Sequence, residues 1–415
     1  MIKKSPQIDS FEAMRITEFR NLMFGRFLFI MALRMMGALV GYWMYELTGN
    51  PLAIGLIGLA EVIPAVSLSL HAGYKIDISE KRKLLLTGVG FYLLSAILLF
   101  VLSMKSTGHL FSKQFVINSI YVIIFFTGIF RSFTGPSFAT LVAIIVPKET
   151  LPNGISWSQG AWLSASVFGH ALVGFLIAGF GIEGALLVIV LLVIAGFYFM
   201  FLIKPHPAIQ GKRHDNSWDN ISEGLKYVYR TKELLGALSL DLFAVLFGGA
   251  VALIPVFAKD ILHVGPIGFG WLNAATDLGA IICIVTIIKF PLKTNQGKKL
   301  LFAVGGFGLC MIVFAISKVF WLSFIALLFS GILDGVSVVV RGTITQLKTP
   351  DEMRGRVMSI SSMFVNSSNE LGQFESGVAA RYMGNVASVI FGGLVTIGVV
   401  TFTWLKIPRL KNLKY

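Results

Sequence analysis

Runs of about 20 apolar residues recur along the whole chain, separated by short polar, Gly/Pro-marked or charged breaks, and each run is long enough to cross a ~30 Å hydrocarbon layer as a helix. Six runs, at 21–47, 52–72, 84–104, 115–146, 154–180 and 185–203, precede one long polar stretch. Six more follow it, at 234–257, 267–289, 300–317, 320–346, 357–382 and 387–405. The pattern predicts an all-α integral membrane protein of twelve transmembrane helices in two six-helix bundles. The run 115–146 exceeds one crossing, and Gly135-Pro136 predicts a kink within it.

The polar stretch, KPHPAIQGKRHDNSWDNISEGLKYVYRTKE at 204–233, is the longest segment that lipid could not solvate. It divides the chain into an N-terminal bundle at 1–203, a linker at 204–233 and a C-terminal bundle at 234–415. Within the linker, Trp218, Ile221, Leu225, Val228 and Tyr229 have helical spacing with charges between them, which predicts an amphipathic surface helix. Its basic residues either stay solvated or reach anionic lipid headgroups.

Composition agrees with the pattern. Hydrophobic residues make up 55% and charged residues 13%, against about 25% charged in soluble domains, so a soluble fold is excluded. The formal charge of +14 would suit nucleic acid, but the cations fall in loops between spans. Lys3, Lys4, Lys75, Lys81, Arg82, Lys83, Lys148, the linker cations, Lys298, Lys299, Arg354, Arg356 and Lys406 share one side, and Lys105, Lys113, Lys259 and Lys318 are nearly all the other side has. The positive-inside rule therefore predicts a multi-pass protein of the inner (plasma) membrane with both termini and the linker cytoplasmic, whose partners are lipids rather than nucleic acid. The first residues, MIKKSPQIDSFEAMR, do not read as a cleavable leader, so the first span is expected to anchor the chain. Cys283 and Cys310 lie inside apolar runs, away from any disulfide or zinc pattern. Neither a nucleotide-binding Gly-rich loop with Lys-Ser/Thr nor a His-Glu-x-x-His helix occurs, so no enzyme, cofactor or metal is expected.

The loop after the second span, Gly73-Tyr-Lys-Ile-Asp77-Ile-Ser-Glu80-Lys81-Arg82-Lys83, resembles the Gly-x-x-x-Asp...basic-basic loop of the major facilitator superfamily. The stretches DLFAVLFGGAVALIPVFAKDILHVGP (241–266), TPDEMRGRVMSISSMFVNSSNELGQFESG (349–377), TGNPLAIGLIGLAEVIPA (48–65) and VPKETLPNGISW (146–157) look like blocks of its enterobactin-exporter-like branch. Ile78 stands where that loop usually has a basic residue, and Gly169-His170 where the exporter-associated motif has Gly-Pro. The resemblance implies a secondary transporter driven by protons that exports siderophores, drugs or other amphipathic small molecules. It also implies that the first, fourth, seventh and tenth helices line a central cavity, placing Arg34, Arg131, Asp241, Asp334 and Arg341 there. For the loop it implies a gating role for Gly73, Asp77, Lys81 and Arg82.

Ionisable groups deep in lipid cost roughly 2.5–3.5 kcal/mol each on insertion scales, so those present face protein or a water-filled cavity. Arg34, Glu61, Arg131 and His170 in the first half, and Asp277, Asp334 and Glu370 in the second, lie near mid-span. Asp334 and Arg341 are seven residues apart, which puts them on one helix face, able to hold substrate or pair through a water. In the eleventh span Asn366, Glu370, Gln373 and Gly377 form one polar stripe, with Glu375 rotated about 140° from Glu370. A carboxylate in such surroundings can load a proton on one side and release it on the other; Glu61, Asp277, Asp334 and Glu370 are the candidates, Asp334 and Glu370 foremost. Three functions stay open: the exporter, an importer or lipid transporter on the same fold, and a non-transporting membrane sensor.

Overall fold

The computed structural model describes residues 10–105, 110–206, 217–292, 294–350 and 353–413, the side chains of residues 69–78, 217–221, 354, 355, 359 and 366 excepted. Lipid offers no hydrogen-bond partner to a peptide group, so a segment that crosses it closes its bonds within a helix. The first half comprises α1 (Thr17–Thr48), α2 (Pro51–Ile78), α3 (Lys81–Ser103), α4 (Lys113–Ile145) and a helical stretch Leu151–Phe201. That stretch has 51 residues, about 76 Å at 1.5 Å per residue, far more than one crossing requires. Gly181, with φ 68° and ψ −173°, divides it into α5 (151–180) and α6 (182–201); only glycine adopts such a backbone at little cost. After the linker helix α7 (Ser217–Arg230) come α8 (Lys232–Gly248), α9 (Gly265–Lys289), α10 (Gln296–Ile316), α11 (Phe320–Lys348), α12 (Arg354–Met383) and α13 (Asn385–Lys406).

Among the described residues ten helices are long and apolar enough to span a bilayer. Division at Gly181 adds an eleventh. The 30-residue α12 has the length for a twelfth and is too polar to qualify by composition, because Ser367, Ser368, Asn369, Glu370, Gln373 and Glu375 lie within it.

Helix α4 contains Pro136 within its length. One span differs from expectation. Helix α8 loses α geometry at Gly248-Gly249 and goes on as a 3-10 turn Ala250–Leu253, one α turn Ile254–Val256 and a π turn Phe257–Ile261. The loop expected from Gly73 is also shorter, since α2 runs to Ile78.

In the first half α1 packs on the α5–α6 stretch, and α4 on α2 and α3; in the second, α11 packs on α9 and α10, and α13 on α8 and α10. The halves meet along two seams, α2 against α12 and α5 against α9. Each seam contains a glycine pair that lets backbones touch. A Cβ on Gly55 would lie 3.1 Å from the Gly377 Cα, and one on Gly174 would lie 2.4 Å from the Pro266 carbonyl oxygen and 3.0 Å from the Gly270 Cα. Both pairs lie toward the end of the molecule opposite the linker, called here the far end. There Tyr45 of α1 hydrogen-bonds Asp260, and the rings of Tyr42 and Phe269 stand 5.0 Å apart.

At the linker end, α7 docks under the second half. Val228 is buried, the Tyr227 hydroxyl donates to the Lys348 carbonyl oxygen (2.5 Å), Gly224 lies against Ile360 and Arg356 pairs with Glu223. The docked face is thus Gly224, Tyr227 and Val228. Of the expected apolar stripe, Val228 belongs to this face while Leu225 and Tyr229 are exposed; the side chains of Trp218 and Ile221 lie outside the described residues. At the other end of the chain, Ser10 accepts from Asn153 Nδ2 (2.9 Å) and Trp157 Nε1 (2.8 Å), tying the start of α1 to α5.

Candidate functional site

The site begins with two close helix contacts. A Cβ on Gly128 of α4 would meet the Glu61 carbonyl oxygen at 2.4 Å, and one on Gly58 of α2 would meet the Glu370 carbonyl oxygen at 2.7 Å. These glycines bring three helices together at the depth where each carries a charge. Arg131 Nη1 donates to Glu61 Oε1 at 2.6 Å and to Glu370 Oε1 at 2.7 Å. Gln373, one turn along α12, donates through Nε2 to Glu370 Oε2 at 3.2 Å. One guanidinium therefore holds a carboxylate of its own half and one of the opposite half.

Exposure within this cluster is graded. The Glu370 side chain is 8% accessible, Glu61 23% and Arg131 39%, so the arginine borders open space while Glu370 is shut into the seam. Gly135, one turn from Arg131 toward the linker end, has nothing within 4 Å of where a Cβ would sit.

The second seam carries its own polar cluster. Asp277 Oδ2 accepts from Ser166 Oγ at 2.7 Å and lies 2.7 Å from His170 Nδ1. With Asp277 ionised, the imidazole donates through Nδ1. Ser166 and His170 are one turn apart on α5, and Asp277 is on α9. Between the seams lies Arg34 of α1, its guanidinium 4.8 Å from the centre of the Trp162 ring and within electrostatic reach of Asp277, Arg131, Glu370 and Glu61. A Cβ on Gly169 would meet the Met31 carbonyl oxygen at 2.7 Å and Arg34 Cβ at 3.0 Å; this contact sets Arg34 at that depth.

The sequence-derived residues thus divide into two groups. Arg34, Glu61, Arg131, Asp277 and Glu370 converge at mid-depth between the halves. Asp241 and Arg341 do not join them; they form a direct ion pair inside the second half, each side chain 7% accessible. The expected pairing of Arg341 with Asp334 is corrected here. Seven residues on one helix are about 10.5 Å of rise, whereas Asp241 on neighbouring α8 meets the guanidinium directly. Asp334, with Asp241 and Ser337, lines a cavity of about 10 Å³, close to the smallest space that holds one water.

Of the loop residues, Lys81 is buried and its Nζ donates to the Ser79 carbonyl oxygen at 3.1 Å. Arg82 Nη2 donates to the Phe201 carbonyl oxygen at 2.8 Å, tying α3 to the end of α6. The side chain of Asp77, and whatever Gly73 would meet, lie outside the described residues. Sequence reasoning placed Gln373 on the Glu370 stripe and missed Ser166, although it is a polar residue one turn from a deep ionisable group.

Comparison with known proteins agrees with this architecture. The chain is 23% identical over 425 residues to the uncharacterized MFS-type transporter YkuC of Bacillus subtilis (strain 168), covering 94% of each protein. It is 24% identical over 392 residues to the enterobactin exporter EntS of Salmonella choleraesuis (strain SC-B67), covering 92% of this chain and 91% of that protein. Among solved structures, a mutant of the nucleoside transporter NupG superposes with a TM-score of 0.76 at 11% identity, over 92% of this chain and 98% of that one. A D-xylose-proton symporter does so with 0.68 at 14% identity, over 97% and 98%. The family model of the Major Facilitator Superfamily matches residues 22–373, and the chain belongs to that superfamily of membrane transporters.

Proposed function

We propose that this transporter is a proton-coupled exporter of amphipathic small molecules, of the siderophore or drug type, that works by alternating access in the plasma (inner) membrane with its linker end and termini in the cytoplasm. The observation that carries the reading is Arg131 bridging Glu61 and Glu370 across the α2–α12 seam. Two carboxylates share one hydrogen-bonding guanidinium, with Arg34 reaching them only at a distance, and in a bilayer a carboxylate that loses its share is relieved by a proton or a ligand.

With the far end closed, Glu370 is bonded to Arg131. Substrate entering from the linker end meets Arg34, Arg131 and the apolar walls, and weakens the bridge by competing for the guanidinium. When the halves rock apart at the far end, Glu370 leaves Arg131 and takes a proton from that side as substrate departs. Closing brings Arg131 back to Glu370; the proton leaves toward the linker end, where the arginine is accessible. Glu370 thus carries one proton inward as substrate moves outward. The similarity to an enterobactin exporter supports this direction.

Asp334 is the second candidate for coupling, and the loop Gly73, Asp77, Lys81 and Arg82 is assigned to bracing helix ends at the linker side. The test is uptake of amphipathic fluorescent dyes and catecholate siderophores into inverted membrane vesicles under an imposed pH gradient. Glu370→Gln is expected to bind substrate and lose gradient-driven uptake. Unchanged uptake by both Glu370→Gln and Asp334→Asn would overturn the proposal.

A further inference from the structure

The α5–α9 seam has no part in the cycle just described, yet it repeats the features of the first. Both seams have a glycine pair toward the far end and a polar cluster at mid-depth, and in both the cluster joins groups from opposite halves. The Gly174–Gly270 contact places the His170 main chain against α9, since a Cβ on Gly270 would lie 2.9 Å from the His170 carbonyl oxygen. Asp277 lies seven residues further along α9, about two turns, where the imidazole and the Ser166 hydroxyl converge on one of its oxygens. We propose that Ser166, His170 and Asp277 form a second proton-carrying site, so that opening the far end requires one protonation on each seam.

In the closed seam Asp277 is an ionised carboxylate that accepts from Ser166 Oγ–H and His170 Nδ1–H. Those donors belong to one half and the carboxylate to the other, so parting the halves removes both at once. A carboxylate left without either in the membrane interior takes one proton from the solvent it faces. On closing, the acid meets both donors again and releases that proton. Nothing is oxidised or reduced, and the cluster carries one proton per cycle.

The charged groups around this cluster decide whether a proton is needed. Helix α1 contributes Arg34, which reaches Asp277 electrostatically but stacks on Trp162 of the first half. It therefore moves with His170 and cannot follow Asp277 when the seam opens. Helix α11, packed along α9, contributes Asp334, which acts electrostatically on Cys283, six residues beyond Asp277; a second carboxylate there offers no cation to replace His170. The far end of α8 carries Lys259 and Asp260, and both are engaged at Tyr45.

This inference rests on the coupling reading above, and one experiment separates the two. Spin labels at Leu110→Cys and Val319→Cys, far-end positions on opposite halves that are both exposed, with Cys283 and Cys310 replaced by Ala, report the inter-half distance of the full chain in nanodiscs from pH 5 to 8.5. The wild-type distance is expected to lengthen as pH falls, with a steepness near two protons. Asp277→Asn and His170→Gln are expected to reduce the steepness to about one proton, as is Glu370→Gln, and Asp277→Asn combined with Glu370→Gln to abolish the response. Profiles of both Asp277→Asn and His170→Gln that superimpose on wild type would overturn the second site alone. A full wild-type profile in Glu370→Gln, with loss of steepness in Asp277→Asn and His170→Gln, would overturn the Glu370 assignment and leave the second site standing. A wild-type distance indifferent to pH overturns both.

Discussion

The pair between Arg341 and Asp241 lies inside one half, each side chain 7% accessible, so it does not separate when the halves move as bodies. Its role is to make two deep charges tolerable to the fold, and that role predicts a stability effect. Arg341→Met leaves an unpaired carboxylate in an apolar setting and is expected to lower stability by about 3–5 kcal/mol, whereas Asp241→Leu combined with Arg341→Met recovers most of the loss. Thermal unfolding in detergent measures both. A double variant no more stable than the single would show that the pair does more than cancel charge. Glu370 presents the opposite case at the same scale. Its bond to Arg131 crosses between bodies that must part, so its amide variant is expected to leave the unfolding temperature nearly unchanged while it removes coupling.

At the scale of elements, the seams depend on residues that lack a side chain. Gly174→Val would drive a branched side chain into the Pro266 carbonyl oxygen and the Gly270 backbone, and neither can move aside as a side chain would. The expected result is a population shift toward far-end-open forms, seen as a longer label distance at neutral pH, with the fold retained. Gly135→Ala, with open space around it, is expected to shift nothing; an equal shift in both variants would refute the seam argument. The sequence carried the helices well, because length and punctuation suffice where lipid demands a helix, and even the polar α12 was legible from its flanks. It carried the pairing of charges poorly. Asp334 and Arg341 share a face, which periodicity reports, but Arg341 turns to Asp241 on another helix, and only packing determines that. The same limit hid the convergence of Ser166 and His170 on Asp277: spacing along α5 says nothing of which residue of α9 stands opposite. Periodicity picked out Val228, which docks, but not its neighbour Gly224, whose missing side chain lets Ile360 approach.

For the whole molecule, the described bonds between the halves lie at mid-depth or toward the far end: Arg131 with Glu370, His170 and Ser166 with Asp277, and Tyr45 with Asp260. If the halves rock apart at the far end as bodies hinged toward the linker end, the Tyr45–Asp260 contact, farther from the hinge than either mid-depth cluster, must travel the most. Fastening it should stop the cycle without disturbing binding from the linker side. Tyr45→Cys and Asp260→Cys, joined by a cleavable bis-thiol crosslinker of about 8–10 Å in a chain lacking Cys283 and Cys310, are expected to abolish dye transport by more than tenfold, with dye binding from the linker side retained. Cleavage of the crosslinker should restore transport, which separates arrest of motion from damage to the site. The single cysteine variants, treated alike, fix the effect of losing the Tyr45 hydroxyl bond; because that bond holds the far end shut, they are expected to favour the open form and to transport with weakened dependence on the pH gradient. Transport that persists at full rate in the crosslinked protein would mean that substrate crosses without the far end opening, a result incompatible with two rigid halves parting along these seams.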